Sequence, residues 1–109
     1  MIKVIVVGSK TYNNFTIVEH ELMRYFKEHQ LHRADIDIVH NGFKEAIQFA
    51  NKYGLKTTNF TESNQNELMA YAKQDNGVLF AFWNGYSMEV KEIICIAKQN
   101  DMRINIIES

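Results

Sequence analysis

The chain has 109 residues, 46% hydrophobic and 23% charged, a composition that fits one globular domain with a modest core and excludes a disordered or fibrous chain. Twelve Lys and Arg against thirteen Asp and Glu leave a formal net charge of -1, so there is no broad basic field for DNA or RNA, and nucleic acid is not expected as a partner. No apolar run approaches the ~20 residues that cross a bilayer, and the chain opens on a strand-like segment rather than a secretory leader, so a cytoplasmic location without membrane contact is expected.

Ile2-Lys-Val-Ile-Val-Val7 predicts a buried first strand over 2–8, stopping at Gly8-Ser9-Lys10. Phe15, Val18, Leu22, Tyr25 and Phe26 then recur at helical spacing. A second strand over 35–40 ends at His40-Asn-Gly-Phe43 and leads into a helix marked by Ala46, Phe49, Ala50 and Tyr53 and stopped at Gly54. A third strand is expected over 56–60, and Leu68, Met69 and Ala72 mark a third helix.

The apolar run Gly77-Val-Leu-Phe-Ala-Phe82 predicts a fourth strand over 77–83, which stops at Trp83-Asn-Gly-Tyr-Ser87 and restarts as a helix from about Ser87 to Asn100. In that helix Met88, Val90, Ile93, Ile94, Cys95, Ile96 and Ala97 wrap more than one face. It is therefore expected to be buried on two sides, with Cys95 a buried small hydrophobe and part of the helix covered by a second subunit of a homo-oligomer. A last strand follows over 103–107.

Strands alternating strictly with helices imply the α/β class, a single Rossmann-like three-layer α/β/α sandwich over 1–109 with a five-stranded, mostly parallel sheet. With no proline and no linker-like stretch, the sequence suggests no hinge. The two strand-loop-helix junctions after Val7 and Phe82 are where such sheets receive anions, because helix N-termini present unpaired N–H groups and a favourable dipole. A phosphate-bearing small molecule is the first partner to consider. His20, His29, His32 and His40 have no companions at metal-ligand spacing, so neither a metal nor a cofactor is expected.

Gly8-Ser9-Lys10-Thr11-Tyr12 with Asn14, Phe15 and Val18, Gln65-Asn66-Glu67-Leu68-Met69, and Trp83-Asn84-Gly85-Tyr86-Ser87-Met88-Glu89-Val90 form three anchors along the chain. Together they resemble the SLOG superfamily of Lonely Guy-type phosphoribohydrolases and DprA-like proteins, nearest its short YspA/YpsA-related branch. The resemblance implies that the first and fourth strands are neighbours, with Gly8 to Asn14 and Trp83 to Ser87 around one crevice and His40, Asn41, Gly42 and Phe43 as a third wall.

Within that crevice Gly8, Gly42 and Gly85 would let backbone turn tightly and approach a ligand. Trp83 and Tyr86 would stack on a base or enclose a ribose, or else act as core lids. Lys10, Ser9 and Ser87 would meet phosphate, Ser87 before Ser9, or else Lys10 is a solvated surface charge and the serines cap their helices. Asn41 and Asn84 would read base or ribose groups or else serve the backbone of their turns, Tyr12 and His40 complete the lining, and Glu89 stands at a helix N-terminus where it would block a phosphate or serve the dipole.

The hydrolytic residues implied by the family are absent. Its catalytic Arg and Glu fall on Gln65 and Ile93, which cannot offset charge at a scissile bond or transfer a proton. The leading expectation is binding of a nucleotide-derived signal, of the ADP-ribose or cyclic-nucleotide type, without turnover, as a sponge or sensor, with a viral protein that blunts nucleotide-based defence as one extension. The alternatives are a nucleotide hydrolase using a rearranged Glu89 or Glu92, and a pure interaction module working through the last helix.

Overall fold

Val4, Ile5, Val6 and Val7 are all fully buried, and successive side chains of a strand point to opposite faces, so both faces of this strand must be covered. The computed structural model, which describes residues 2–60, 69–70, 72–73 and 76–108, meets that demand with a five-stranded sheet. The strands are β1 (Ile2–Gly8), β2 (Ile36–His40), β3 (Lys56–Asn59), β4 (Val78–Trp83) and β5 (Arg103–Glu108). Their order is β3-β2-β1-β4-β5 and every pairing is parallel, with Val4 beside Ile38 and Val78, and Gly8 beside Phe82.

Helices α1 (Phe15–Glu28) and α2 (Lys44–Tyr53) cover one face. Val18, Leu22 and Phe26 from α1, and Ala46, Phe49 and Ala50 from α2, pack there on Val4, Val6, Ile38, Phe80 and Phe82. The other face carries α3 (Met88–Gln99), whose Val90, Ile93, Ile94 and Ala97 meet Ile5, Val7, Leu79 and Ala81 beside the helical Met69 and Ala72. Each large side chain removed from water in these layers contributes about 1.5–3 kcal/mol before chain entropy is subtracted. The α/β class, the parallel sheet and the strand boundaries therefore agree with the sequence reading to within a residue or two.

One expectation is corrected. In the single chain α3 is buried along one stripe only: Ile96 is half-buried, Met88 is 65% exposed, and Cys95 is exposed rather than a core residue. A helix turns about 100° per residue, so Cys95 lies roughly 200° round from Ile93 and points off the sheet. Of the third expected helix, Met69, Ala70, Ala72 and Lys73 are helical, and Leu68 lies outside the described residues. No helix among the described residues is long and apolar enough to cross a membrane.

Candidate functional site

Between β1 and β4 the chain winds outward in opposite directions, toward β2 and β3 on one side and β5 on the other, and the helices that follow these two strands lie on opposite faces of the sheet. The loop after β1 and the turn after β4 do meet, but they use their polar groups on each other. Ser9 donates its N–H to the Phe82 carbonyl at 3.0 Å, and the Ser9 hydroxyl accepts from the Asn84 N–H at 3.1 Å. Asn84 also donates from Nδ2 to Thr11 Oγ1 at 2.9 Å, while its Oδ1 accepts from the N–H groups of Tyr86 and Ser87 at 2.8 and 2.9 Å.

Ser87 closes the same side further. Its hydroxyl caps α3 by accepting from the Val90 N–H at 3.4 Å, and its carbonyl accepts from Trp83 Nε1 at 3.0 Å. Trp83 packs against the α3 core cluster, and Tyr86 is 87% exposed. Trp83, Asn84, Gly85, Tyr86 and Ser87 thus lie outside the open cleft, beside it rather than along its wall.

The cleft itself, about 400 Å³, opens on the β2 side of the junction. Gly8, Ser9, Lys10, Tyr12 and Asn13 form one wall, Asn41, Gly42 and the first turn of α2 from Phe43 to Glu45 form the other, and Glu89 reaches in from α3. Seven of the residues expected from sequence therefore come together, namely Gly8, Ser9, Lys10, Tyr12, Asn41, Gly42 and Glu89. Asn13, inside the expected Gly8 to Asn14 wall, and Phe43, expected in the third wall, join them, and Lys44 and Glu45 are unanticipated. Their signal was the brevity of the loop after β2, three residues from Asn41 to Phe43, which draws the first turn of α2 up to the cleft.

Aromatic rings make the floor. Tyr12 lies 5.5 Å from Phe82 and 6.2 Å from Phe43, and Phe43 stacks on Phe82 at 5.9 Å. The Phe43 ring occupies the space a side chain on Gly8 would need, since a Cβ there would sit 2.3 Å from Phe43 Cε1. The missing side chain of Gly8 serves the packing of Phe43, and Gly42 and Gly85 are needed for their left-handed turns at φ +97° and +86°. The tight turning expected of these glycines holds at Gly42 and Gly85.

Charge in the lining is balanced, with Lys10 and Lys44 against Glu45 and Glu89. Asn41 Nδ2 donates to Glu89 Oε1 at 3.0 Å, tying the β2 loop to the start of α3. Asn41 Oδ1 and the Tyr12 hydroxyl are both buried, and neither has a hydrogen-bond partner among the described residues. Burial, followed by the carboxylates of Glu21 and Glu45, pushes the Tyr12 hydroxyl above its ordinary pKa, so it stands as a neutral donor. Buried polar atoms are nearly always satisfied in folded proteins, and two orphans in one cleft point to a water or ligand as the missing partner.

His40 lies under this wall, buried, with its Nδ1 accepting from the Gly42 N–H at 3.0 Å. That bond requires a neutral ring with its proton on Nε2. Burial pushes the His40 pKa below its ordinary value, opposed by the nearby Asp37 carboxylate. The folded state then binds fewer protons than the unfolded chain, so stability is full above about pH 6.5 and is lost as pH falls toward the folded pKa. In urea denaturation between pH 7.5 and 5.5, the wild-type midpoint should fall more steeply than that of His40→Asn, whose Oδ1 can take the same N–H without titrating. Equal slopes would remove His40 as the cause.

Among the described residues no group of three or more His, Cys, Asp or Glu side chains is placed to hold a metal ion. No family model, curated protein or solved structure matches the chain.

Proposed function

We propose that the chain holds a nucleotide-derived small molecule in the cleft above Gly8 and does not convert it, acting as a sponge or a sensor for that molecule. The observation that carries this reading is the pair of unpartnered buried polar atoms, Tyr12 hydroxyl and Asn41 Oδ1, in a cleft at the switch point of a parallel sheet. Its volume of about 400 Å³ suits a small ligand. The resemblance of the Gly8–Tyr12 and Trp83–Val90 segments to SLOG proteins supports a nucleotide as the class.

Absence of turnover is supported by Ile93, the position where the related hydrolases carry their Glu. It is fully buried against the sheet, so no side chain at that position reaches the cleft without leaving the core. Gln65, at the position of the catalytic Arg, lies outside the described residues. The rearranged-enzyme alternative narrows to Glu89, because Glu92 lies with Met88, Cys95 and Ile96 on the outer side of α3.

Calorimetric titration with AMP, ADP, ADP-ribose, cyclic AMP and a cyclic dinucleotide tests both halves of the proposal. At least one should bind saturably and be recovered intact by chromatography, and Tyr12→Phe should weaken it roughly fivefold, the worth of one net hydrogen bond of ~1 kcal/mol. Failure of the whole panel to bind would overturn the proposal. Product formation abolished by Glu89→Gln would replace it with an enzyme.

A further inference from the structure

Three described helices begin at the carboxyl edge of the sheet, and two of them carry a side-chain cap. Asn14 Oδ1 caps α1 by accepting from the Ile17 N–H at 3.2 Å. At α3 the Ser87 hydroxyl takes the Val90 N–H, Asn84 Oδ1 takes two more N–H groups just ahead of it, and Glu89 adds a carboxylate to the first turn. An anion arriving at α3 would meet three occupied donors, the N–H groups of Tyr86, Ser87 and Val90, and the Glu89 carboxylate.

The start of α2 also carries a first-turn carboxylate, Glu45, and differs in its cap. Phe43 holds the N-cap position and offers no acceptor, so the N–H groups of the first turn have no side-chain cap, and that turn lines the cleft. Lys44 and, across the cleft, Lys10 supply positive charge beside it. A second and independent sign of a ligand is Tyr12, only 3% exposed, whose ring packs edge-on against Phe43 and whose hydroxyl is unpartnered. Asn41 Oδ1, an acceptor without a donor, and the Glu89 carboxylate stand on the side nearer α3.

Building on the binding reading above, we infer that the cleft seats one phosphate group at the N-terminus of α2, held by Lys10, Lys44 and the Tyr12 hydroxyl, while Glu89 and Asn41 Oδ1 receive hydroxyl or amino donors of the same molecule. The chemical class is a monophosphate with a donor-rich body, such as a nucleoside monophosphate. Two lysines are already balanced by two glutamates, so each added phosphate brings charge toward Glu45 or Glu89 without a new cation to meet it. A monophosphate should therefore bind at least roughly tenfold more tightly than the corresponding triphosphate.

The test is an amide-resolved NMR titration of ¹⁵N-labelled full chain with inorganic phosphate, AMP and ATP. The Lys44 and Glu45 amides should move most with phosphate and AMP, and AMP should bind more tightly than ATP. Lys44→Glu should weaken AMP at least roughly tenfold, whereas Lys98→Glu, on the exposed end of α3, should not. Glu89→Gln should narrow the preference for AMP over ATP. Nucleotide binding that instead moves the Met88–Val90 amides, or that favours ATP, would overturn this placement and leave the binding reading standing. If no amide responds to any of the three at millimolar concentration, both the placement and nucleotide binding in this cleft are wrong.

Discussion

Gly8→Ala should destabilise the fold by about 3 kcal/mol, a large loss for one added methyl group. The new Cβ would lie 2.3, 2.4 and 2.6 Å from three carbons of the Phe43 ring, far inside van der Waals contact. That ring cannot swing aside cheaply, because it is 6% exposed and held between Tyr12 and Phe82. The strain falls on the floor of the cleft, so ligand binding should suffer with stability. A double-mutant cycle isolates the cause: Phe43→Ala alone should cost about 3–5 kcal/mol through the cavity it leaves. In that background Gly8→Ala should cost about 0.5 kcal/mol or less, because the obstructing ring is gone. Additive losses in urea denaturation would show that the two residues do not collide as described.

Phe49→Ala should cost about 4 kcal/mol, within the range for deleting a fully buried aromatic ring. Phe49 is fully buried in the layer between the sheet and the two helices on that face. Its ring lies 5.9 Å from Phe26 of α1 and 4.9 Å from Tyr53 of α2, so its loss loosens both helices at once. Domains of this size are commonly stable by only 5–15 kcal/mol, and the variant should therefore show a clearly lowered denaturation midpoint. Met88→Ala, at a side chain 65% exposed, should stay within about 0.5 kcal/mol of wild type. A loss below about 1 kcal/mol at Phe49 would contradict the docking of α1 and α2 against each other through this ring.

The fold was legible in the sequence because burial on both faces leaves a simple trace. Val4 to Val7 and Val78 to Phe82 are unbroken apolar runs, as central parallel strands require, and the stripes of α1 and α2 repeat at helical spacing. Even β3, exposed along its whole length, is marked by Thr57 and Thr58 following a helix that stops at Gly54. The orientation of Cys95 was harder, since Ile93, Ile94 and Ile96 around it suggest an all-round apolar helix until the angle of each residue to the sheet is fixed.

The site was only partly legible, for a different reason. Sequence spacing brings Ser9, Asn84 and Ser87 to one edge, but it does not say that Asn84 will bond to Ser9 and Thr11, more than seventy positions earlier, and leave less for a ligand. Nor does it say that Phe43 will take a helix-capping position it cannot fill chemically. Both facts depend on which partner each polar group finds first in three dimensions. Together they displace the open part of the cleft from the β4 turn to the β2 side.

The strand order also governs how the chain must be assembled. β1 is the middle strand, yet its neighbour β4 begins only at Val78, so the N-terminal half can pair β1 along one edge while the other edge waits. During synthesis from the ribosome, Val4 to Val7 would stay unsheltered on that side until most of the polypeptide had emerged. Closure across such a long sequence separation is entropically slow, and it makes the nascent protein most vulnerable to sticking to its neighbours just before β4 arrives.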